Sequence, residues 1–552
     1  MNLPKITTAQ ILLQVFEKYQ IREIVISPGS RNAPLTLGFA NQSYFRCYSI
    51  VDERCAAFFA LGIAQQKKEP VVLVCTSGSA LLNYYPAIAE AFYSEIPLIV
   101  LSADRPSHKI DIGDGQTIRQ QNVFANHILK SVQLLDEDTV DNDVAIQDAI
   151  YTAKVGKGPV HINVPFEEPL YELVSDYSRI PHWVSFSEAT PTTTLLPKVV
   201  EAWNQSTKKL LLIGNQPKNE QLEKLLEEFS NDASVLVLSE KNSNVHAPHI
   251  IDEIDVLISD FSKTDKHQFQ PDILISLGGM LVSKRIKALL RSHPPKYHYH
   301  VDATKANDTF GVLTGHVNIS ALDGLKQLTF QSNKEGYATY FLENWHRKKE
   351  KAKAFAQQAP FSDYKVFDFI CQYLPDNLHL QVSNSASIRY LQLFKTKPNW
   401  EIFCNRGTSG IDGSTSTAVG AALFHEKPTV LITGDLSFFY DSNGLWNQYI
   451  PNDFKIILIN NGGGGIFRIL PGHQDQPVFH QFFETQHHLN AQHLAAMYGF
   501  AYVGIEDEIS LKKQWNHFIS TNAKTILEIN TSKVQNENIL KDFFKYIQTE
   551  MD

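Results

Sequence analysis

The sequence predicts an α/β protein made of three doubly wound parallel sheets with helices on both faces. Three observations carry this expectation. Short apolar runs alternate with helical patterns along all 552 residues, as parallel strands do when crossover helices bury both their faces. The length and the 43% apolar content suit about three domains of ~150 to 200 residues each. Two polar connectors divide the runs into three groups, one around Pro181, Pro191 and Pro197 and the other the charged, Lys-rich and helix-prone segment 336–360.

In the first group, strands are expected at residues 23–27, 71–75, 97–102 and 159–164, with a helix over 80–93. A further helix over 55–61 is expected to close at Gly62, which puts Glu53 in its first turn. The second group has strands at 210–213, 235–238, 273–277 and 297–301, and the third at 380–382, 402–404, 429–433, 456–460 and 525–529. The corresponding domains are 1–178, 190–340 and 355–552. The outer two have similar strand and helix content, which suggests related folds.

The formal net charge of −9 argues against a nucleic-acid scaffold, because phosphate binding calls for clustered Lys and Arg on a basic surface. Small-molecule ligands are the better expectation. Cys47, Cys55, Cys75, Cys371 and Cys404 lie far apart with no CxxC pair, so neither a zinc site nor a disulfide framework is indicated. No basic segment leads into an apolar one near the start, and no apolar run approaches ~18 residues. A cytoplasmic protein is expected.

Ligands of open parallel sheets sit at the carboxyl ends of strands. In the third group, the strand over 429–433 runs into Gly434-Asp435-Leu436-Ser437, and the one over 456–460 runs into Asn461-Gly462-Gly463-Gly464-Gly465. A carboxylate and a side-chain amide from two strand ends, beside a glycine backbone, make a hard-oxygen site of the kind magnesium prefers. Either half alone reads equally well as a tight turn, in which Asp caps a helix and Gly permits positive φ. Glu53, alone, reads as an acid well placed on a helix dipole.

The two halves together resemble the metal and diphosphate motif of the thiamine-diphosphate-dependent enzymes, GDG followed by NN, with Leu436 in place of the third residue of GDG. Further segments extend the resemblance over essentially the whole chain: Ser27-Pro28-Gly29-Ser30-Arg31, Asp52-Glu53-Arg54, Cys75-Thr76-Ser77-Gly78-Ser79, Ser102-Ala103-Asp104-Arg105-Pro106 and Asn405-Arg406-Gly407-Thr408-Ser409-Gly410-Ile411-Asp412-Gly413. With Asn460 to Phe467 they are similar to the branch of that family that joins 2-oxoglutarate to isochorismate in menaquinone biosynthesis, where GDLS is the usual form.

That resemblance implies the three-domain fold of the thiamine-diphosphate enzymes and a transferase that decarboxylates 2-oxoglutarate and adds the four-carbon unit to isochorismate. It implies Mg2+ or Mn2+ on Asp435, Asn461 and the Gly463 backbone. Cofactor contacts are implied for Ser409, Gly410, Ile411, Gly434, Leu436, Ser437, Ile466 and Phe467. Glu53 is implied as the catalytic acid that hydrogen-bonds N1′ of the aminopyrimidine, reaching the cofactor of a second subunit in a homodimer or homotetramer. The substrate-side positions are Ser30, Arg31, Arg105, Gln116, Lys284, Arg285, Ser385, Arg389, Arg406, Phe467 and Leu470; guanidinium groups suit two dicarboxylate substrates. Singly, each cation reads as a solvated surface charge. The histidines around His473, His480, His487 and His488 make no persuasive metal site, and Arg468 carries no implied role. An acetohydroxyacid-synthase-like carboligase, a simple 2-oxoacid decarboxylase and a non-catalytic nucleotide-binding protein stay open beside this reading.

Overall fold

The computed structural model describes residues 2–187, 197–331, 333–469 and 476–548. They form three parallel sheets and one short antiparallel pair, Leu3–Pro4 with Leu173–Val174. The N-terminal sheet holds β1 (Glu23–Ile26), β2 (Arg46–Ser49), β3 (Val71–Cys75), β4 (Leu98–Asp104), β5 (Lys130–Gln133) and β6 (Val160–Pro165), in the order β2-β1-β3-β4-β6-β5. The middle sheet holds β7 (Lys209–Ile213), β8 (Val235–Ser239), β9 (Ile273–Leu277), β10 (Tyr297–Val301) and β11 (Gly315–Val317), in the order β8-β7-β9-β10-β11. The C-terminal sheet holds β12 (His379–Val382), β13 (Glu401–Phe403), β14 (Thr429–Gly434), β15 (Lys455–Asn460), β16 (Ala501–Ile505) and β17 (Thr525–Asn530), in the order β13-β12-β14-β15-β17-β16. The outer sheets therefore share one strand order, which bears out their kinship.

Central strands follow from composition. Every residue of Val71-Val72-Leu73-Val74-Cys75 is fully buried, as expected when helices cover both faces. Within the three parallel sheets, the four strands the sequence did not announce, β2, β5, β11 and β16, each lie at the edge of their sheet. An edge strand with an open face carries polar residues, such as Arg46 and Ser49 or Lys130 and Gln133, and loses the continuous apolar run that marks its neighbours.

Two helices differ from expectation, and the helix-prone connector forms one as its composition predicts. The one expected over 80–93 is two, Ser79–Asn83 and Tyr85–Ser94, because Pro86 takes the first turn of a new helix. The connector 336–360 is a 22-residue helix, Tyr337–Gln358, packed on the middle unit at Ile254–Leu257 and on the C-terminal helix Lys533–Gln548. The helix expected to stop at Gly62 runs through it, from Glu53 to Lys67, and closes at Lys68 with φ 57°.

Gly62 is instead a contact. A Cβ there would lie 2.1 Å from the Thr417 carbonyl oxygen, and one at Gly420 would lie 2.0 Å from that of Phe59. The helices Glu53–Lys67 and Ser414–Ala422 thus touch backbone to backbone, and one core runs through Phe58, Phe59, Ala418, Val419, Leu431 and Phe438. Buried acids pin the same junction. Glu90 accepts from the N–H groups of Gly407 (2.7 Å) and Thr408 (2.6 Å). Asp441 accepts from the Ser416 N–H at 2.7 Å and hydroxyl at 2.9 Å. The middle unit docks through Asn244, whose amide oxygen accepts from Ile402 N–H (2.6 Å) and whose amide nitrogen donates to Ile402 O (3.1 Å).

Gly62→Ala forces the crossing helices apart and is expected to cost about 1–3 kcal/mol or more, seen as an earlier unfolding transition in denaturant; an unchanged midpoint would show the crossing can relax. Burial pushes Asp441 from an ordinary value of 3.8 up to about 6. Since the folded state holds this proton more tightly, its stabilisation is full below about pH 4 and lost as pH rises through about 6. Wild type should therefore lose up to roughly 3 kcal/mol more than Asp441→Asn between about pH 4 and about pH 7. Parallel stability curves for the two proteins would contradict this.

Candidate functional site

In the C-terminal sheet the strand order reverses between β12 and β14, which opens a crevice between their carboxyl ends. Ser383, Asn384 and Ser385 leave β12 on one side; Asp435 leaves β14 on the other, and the Gly434 N–H donates to Ser383 Oγ at 3.3 Å. Asp435 opens the helix Asp435–Tyr440 and is 3% exposed. One carboxylate oxygen accepts from the Leu436 N–H (2.6 Å), the other from the Gly463 N–H (2.9 Å), with His487 Nε2 at 3.3 Å. Asn461 donates through Nδ2 to buried Asp363 at 3.0 Å, which leaves its Oδ1 buried with no partner.

An orphaned amide oxygen beside a buried carboxylate is the donor set a hard cation completes. Among the described residues no group of three or more His, Cys, Asp or Glu side chains is placed to hold a metal, so a cation held here would add amide and backbone oxygens to the Asp435 carboxylate. Gly463 differs from expectation in one respect. Its N–H faces Asp435, while its carbonyl accepts from Gly465 N–H at 2.9 Å, which leaves that oxygen one lone pair for a ligand.

The glycine loop is clasped by residues the sequence did not single out for this purpose. Glu484 O accepts from Gly464 N–H (2.6 Å), and His487 N–H donates to Gly462 O (3.1 Å). Arg468 grips the fully buried Glu484 carboxylate with Nε and with Nη2 at 2.9 Å. Burial alone would raise Glu484, but hydrogen bonds from Arg468, Gln486 and His480 pull it down to about 2. Their common signal was a run of polar residues between apolar ones, which does not distinguish a clasp from a surface loop. His488 is exposed, and His473 and Leu470 lie outside the described residues.

The remaining cofactor-side positions gather around this crevice. Ser409 has φ 61°; Gly410 O accepts from Asn384 Nδ2 (2.8 Å) and Ile411 O from the Ser437 hydroxyl (2.7 Å). Leu436 is half-buried beside Asp435. Ile466 and Phe467, both half-buried, open the short helix Ile466–Ile469 directly after the glycines.

Glu53 stands apart. Asp52 caps its helix by accepting from Cys55 N–H at 3.2 Å, and the Glu53 carboxyl is raised chiefly by burial and further by Asp52, although its own N–H opposes the shift. Its charge is felt by Cys75 and Tyr84, which places it under the end of β3. Among the described residues no hydrogen bond or ion pair links it to Asp435 or Asn461, while its neighbours Arg54 and Asp52 meet Tyr440 O (2.8 Å) and the Asn443 amide (2.9 Å) at the far end of the helix that Asp435 opens.

The substrate-side positions form two groups. Around the N-terminal sheet, Arg31 is 2% exposed and donates to Phe166 O (2.9 Å) and Glu168 (3.0 Å), while Arg105 donates to Gly115 O at 3.0 Å and lies 3.8 Å from the same Glu168 oxygen. Ser30 and Gln116 are exposed beside them. At the junction of the middle and C-terminal units, Arg406 donates to Asn384 Oδ1 (2.8 Å) and Leu281 O (3.3 Å), and Arg389 to Ser385 O (3.4 Å). Ser385 itself is the N-cap of its helix, with φ 68°. Lys284 and Arg285 are exposed in the first turn of Lys284–Ser292, with Arg285 stacked 4.4 Å over Phe544.

Comparison with known proteins agrees with these features. The profile described as thiamine pyrophosphate enzyme, N-terminal TPP binding domain, matches residues 6–131, and its C-terminal TPP binding domain counterpart matches 385–529. A 2-succinyl-5-enolpyruvyl-6-hydroxy-3-cyclohexene-1-carboxylate synthase of Flavobacterium johnsoniae is 53% identical over 99% of this chain and all of its own length. Proteins of the same name from Flavobacterium psychrophilum and Christiangramia forsetii are 53% and 44% identical, covering 99% and 100% of this chain and all of their own.

Gly463 tests the loop geometry. Its φ is +149° and an added methyl would lie 2.6 Å from Glu484 O. Gly463→Ala is expected to weaken Mg2+-dependent binding of thiamine diphosphate at least roughly tenfold in a fluorescence titration, a loss on the scale of one or two polar contacts, with global unfolding little changed. Equal affinity would show that the loop does not set the site.

Proposed function

Because this chain belongs to the 2-succinyl-5-enolpyruvyl-6-hydroxy-3-cyclohexene-1-carboxylate synthase family, we propose that it decarboxylates 2-oxoglutarate and joins the four-carbon remainder to isochorismate in menaquinone biosynthesis. The observation that carries this is identity of 53% along essentially the entire length of a protein so named. Asp435, Asn461 Oδ1 and the free lone pair of the Gly463 carbonyl are the groups that would hold Mg2+ or Mn2+ against the diphosphate; the unpartnered Asn461 oxygen supports this. We assign residues 1–178 to the pyrimidine end, 190–340 to the middle domain and 355–552 to the diphosphate and metal. Thiamine diphosphate, when bound, supplies the carbon nucleophile and accepts the electron pair released with carbon dioxide.

The chain's own residues then have distinct tasks. Glu53 holds a hydrogen bond to the pyrimidine N1′, and a carboxyl raised by burial is suited to share a proton there. Ser409, Gly410 and Ser437 seat the cofactor with the Gly434 and Leu436 backbone, and Ile411 supports it from below. Ile466 and Phe467 form an apolar wall that keeps water from the reacting carbon, and Leu470 is assigned to the substrate side by the family resemblance alone. The guanidinium groups of Arg31, Arg105, Arg389 and Arg406, with Ser30, Gln116, Lys284, Arg285 and Ser385, bind and orient the two dicarboxylates.

From the family we infer a site completed by a second copy, with Glu53 of one subunit reaching the cofactor of another, so that a homodimer is the smallest active unit and a homotetramer doubles it. No helix among the described residues is long and apolar enough to cross a membrane, in keeping with an enzyme acting in the cytoplasm on soluble acids.

The test supplies the full chain with thiamine diphosphate, Mg2+, 2-oxoglutarate and isochorismate, and follows carbon dioxide and the coupled product by mass spectrometry. Carbon dioxide without the adduct would favour a simple 2-oxoacid decarboxylase. Glu53→Gln should abolish most turnover while fold and Mg2+ binding persist; near-normal turnover would remove Glu53 from its role.

A further inference from the structure

The junction of the middle and C-terminal units carries more positive charge than it neutralises. Lys287, in the helix Lys284–Ser292, donates through Nζ to Leu281 O at 3.1 Å, the same carbonyl that receives Arg406 Nη2 at 3.3 Å. An ammonium and a guanidinium thus converge on one oxygen. Arg389 lies within the same field: burial and then the Arg406 charge lower both Arg389 and Lys287 from their ordinary values. Among the described residues none of the three cations forms an ion pair, although buried charges are otherwise paired.

Two buried acids face the cluster without closing it. Asp255 accepts from the Ser283 hydroxyl. Glu240, 1% exposed, places one oxygen on the N–H groups of Val282 (3.1 Å) and Ser283 (3.0 Å), and its other oxygen has no partner. Glu240 therefore fixes the turn whose preceding carbonyl, that of Leu281, orients Lys287 and Arg406, and whose Ser283 hydroxyl accepts from Ile286 N–H at 3.1 Å to cap the helix carrying Lys287.

We propose that Lys287 is a substrate-binding cation, acting with Arg389 and Arg406 on a carboxylate of a dicarboxylate substrate, and that Glu240 is the positioning residue that holds their shared turn. This rests on the function proposed above. A half-buried ammonium that forms no ion pair, next to two guanidinium groups and held only by a backbone carbonyl and the more distant Glu240 charge, is further stabilised by an incoming anion. Glu240 serves as a brace, because its accepting oxygen is spent on backbone N–H groups.

The experiment compares wild-type, Lys287→Met, Lys287→Arg, Glu240→Ala and Glu240→Gln holoenzymes, loaded with thiamine diphosphate and Mg2+. Two readouts are used: steady-state kinetics with each substrate varied, and calorimetric titration with succinate, a non-reacting dicarboxylate. Lys287→Met should raise KM for one substrate by roughly tenfold, more than it lowers kcat, and weaken succinate similarly, as loss of a charge-assisted contact does. Lys287→Arg, which keeps the charge, should recover most of the affinity. Glu240→Ala should reproduce the KM effect, whereas Glu240→Gln, which keeps an accepting oxygen, should recover it. If wild type turns over and binds succinate while Lys287→Met matches it in KM and affinity, the proposal falls and the function stands. If wild type neither turns over nor binds succinate, the function itself falls. Glu240→Ala and Glu240→Gln variants that both keep wild-type KM would remove the positioning role.

Discussion

The close crossing of two helices decides how the N- and C-terminal sheets of this chain meet. Gly62 and Gly420 let the helices Glu53–Lys67 and Ser414–Ala422 pass with carbonyl oxygens where side chains would stand. At that separation no side chain fits between the helices where they cross, and the apolar faces of the two domains merge around them into one core. The ends of both helices are thereby fixed as well. Glu53 opens the first, and the loop 405–413 leads into the second with its Gly407 and Thr408 N–H groups held on Glu90. A loop that carries Arg406, Ser409 and Ile411 thus takes its place from the opposite domain.

At the candidate site itself, backbone groups do most of the holding. Asp435 is oriented by the N–H groups of Leu436 and Gly463, and the glycine loop by Glu484 O and His487 N–H. The buried pair Arg468–Glu484 need not add net stability, since desolvation offsets much of what such a pair gains. Its consequence is geometric: it immobilises the residue whose carbonyl seats Gly464. Backbone contacts of this kind need particular φ angles more than particular side chains, so glycine is the informative letter at 462 and 463, where φ is +75° and +149°.

The same distinction explains what could be read in advance. Central strands and the Asp435 and Asn461 strand ends were legible because continuous apolar runs and turn residues are local signals. Edge strands such as β5 lack that run. Gly62 misled because a glycine that ends a helix and one that admits a neighbouring helix look alike until the neighbour, some 350 residues away in the sequence, is in place (62 and 417). Arg31 was legible as a cation but not as a buried one whose donors already serve Phe166 and Glu168. Lys287 and Glu240 were invisible for the same reason: their shared turn and its neighbours exist only after three elements from two domains have packed.

Charge balance then separates two kinds of unfinished business. Around the N-terminal sheet, Arg31 and Arg105 share Glu168, so their positive charge is answered locally. Glu53 is half-buried and raised by burial and by the Asp52 charge. At the other junction Lys287, Arg389 and Arg406 have no ion-pair partner among the described residues. A single chain thus leaves an acid without a proton-sharing partner in one place and cations without anions in another. A ligand with a protonatable ring nitrogen satisfies the first, and dicarboxylates satisfy the second.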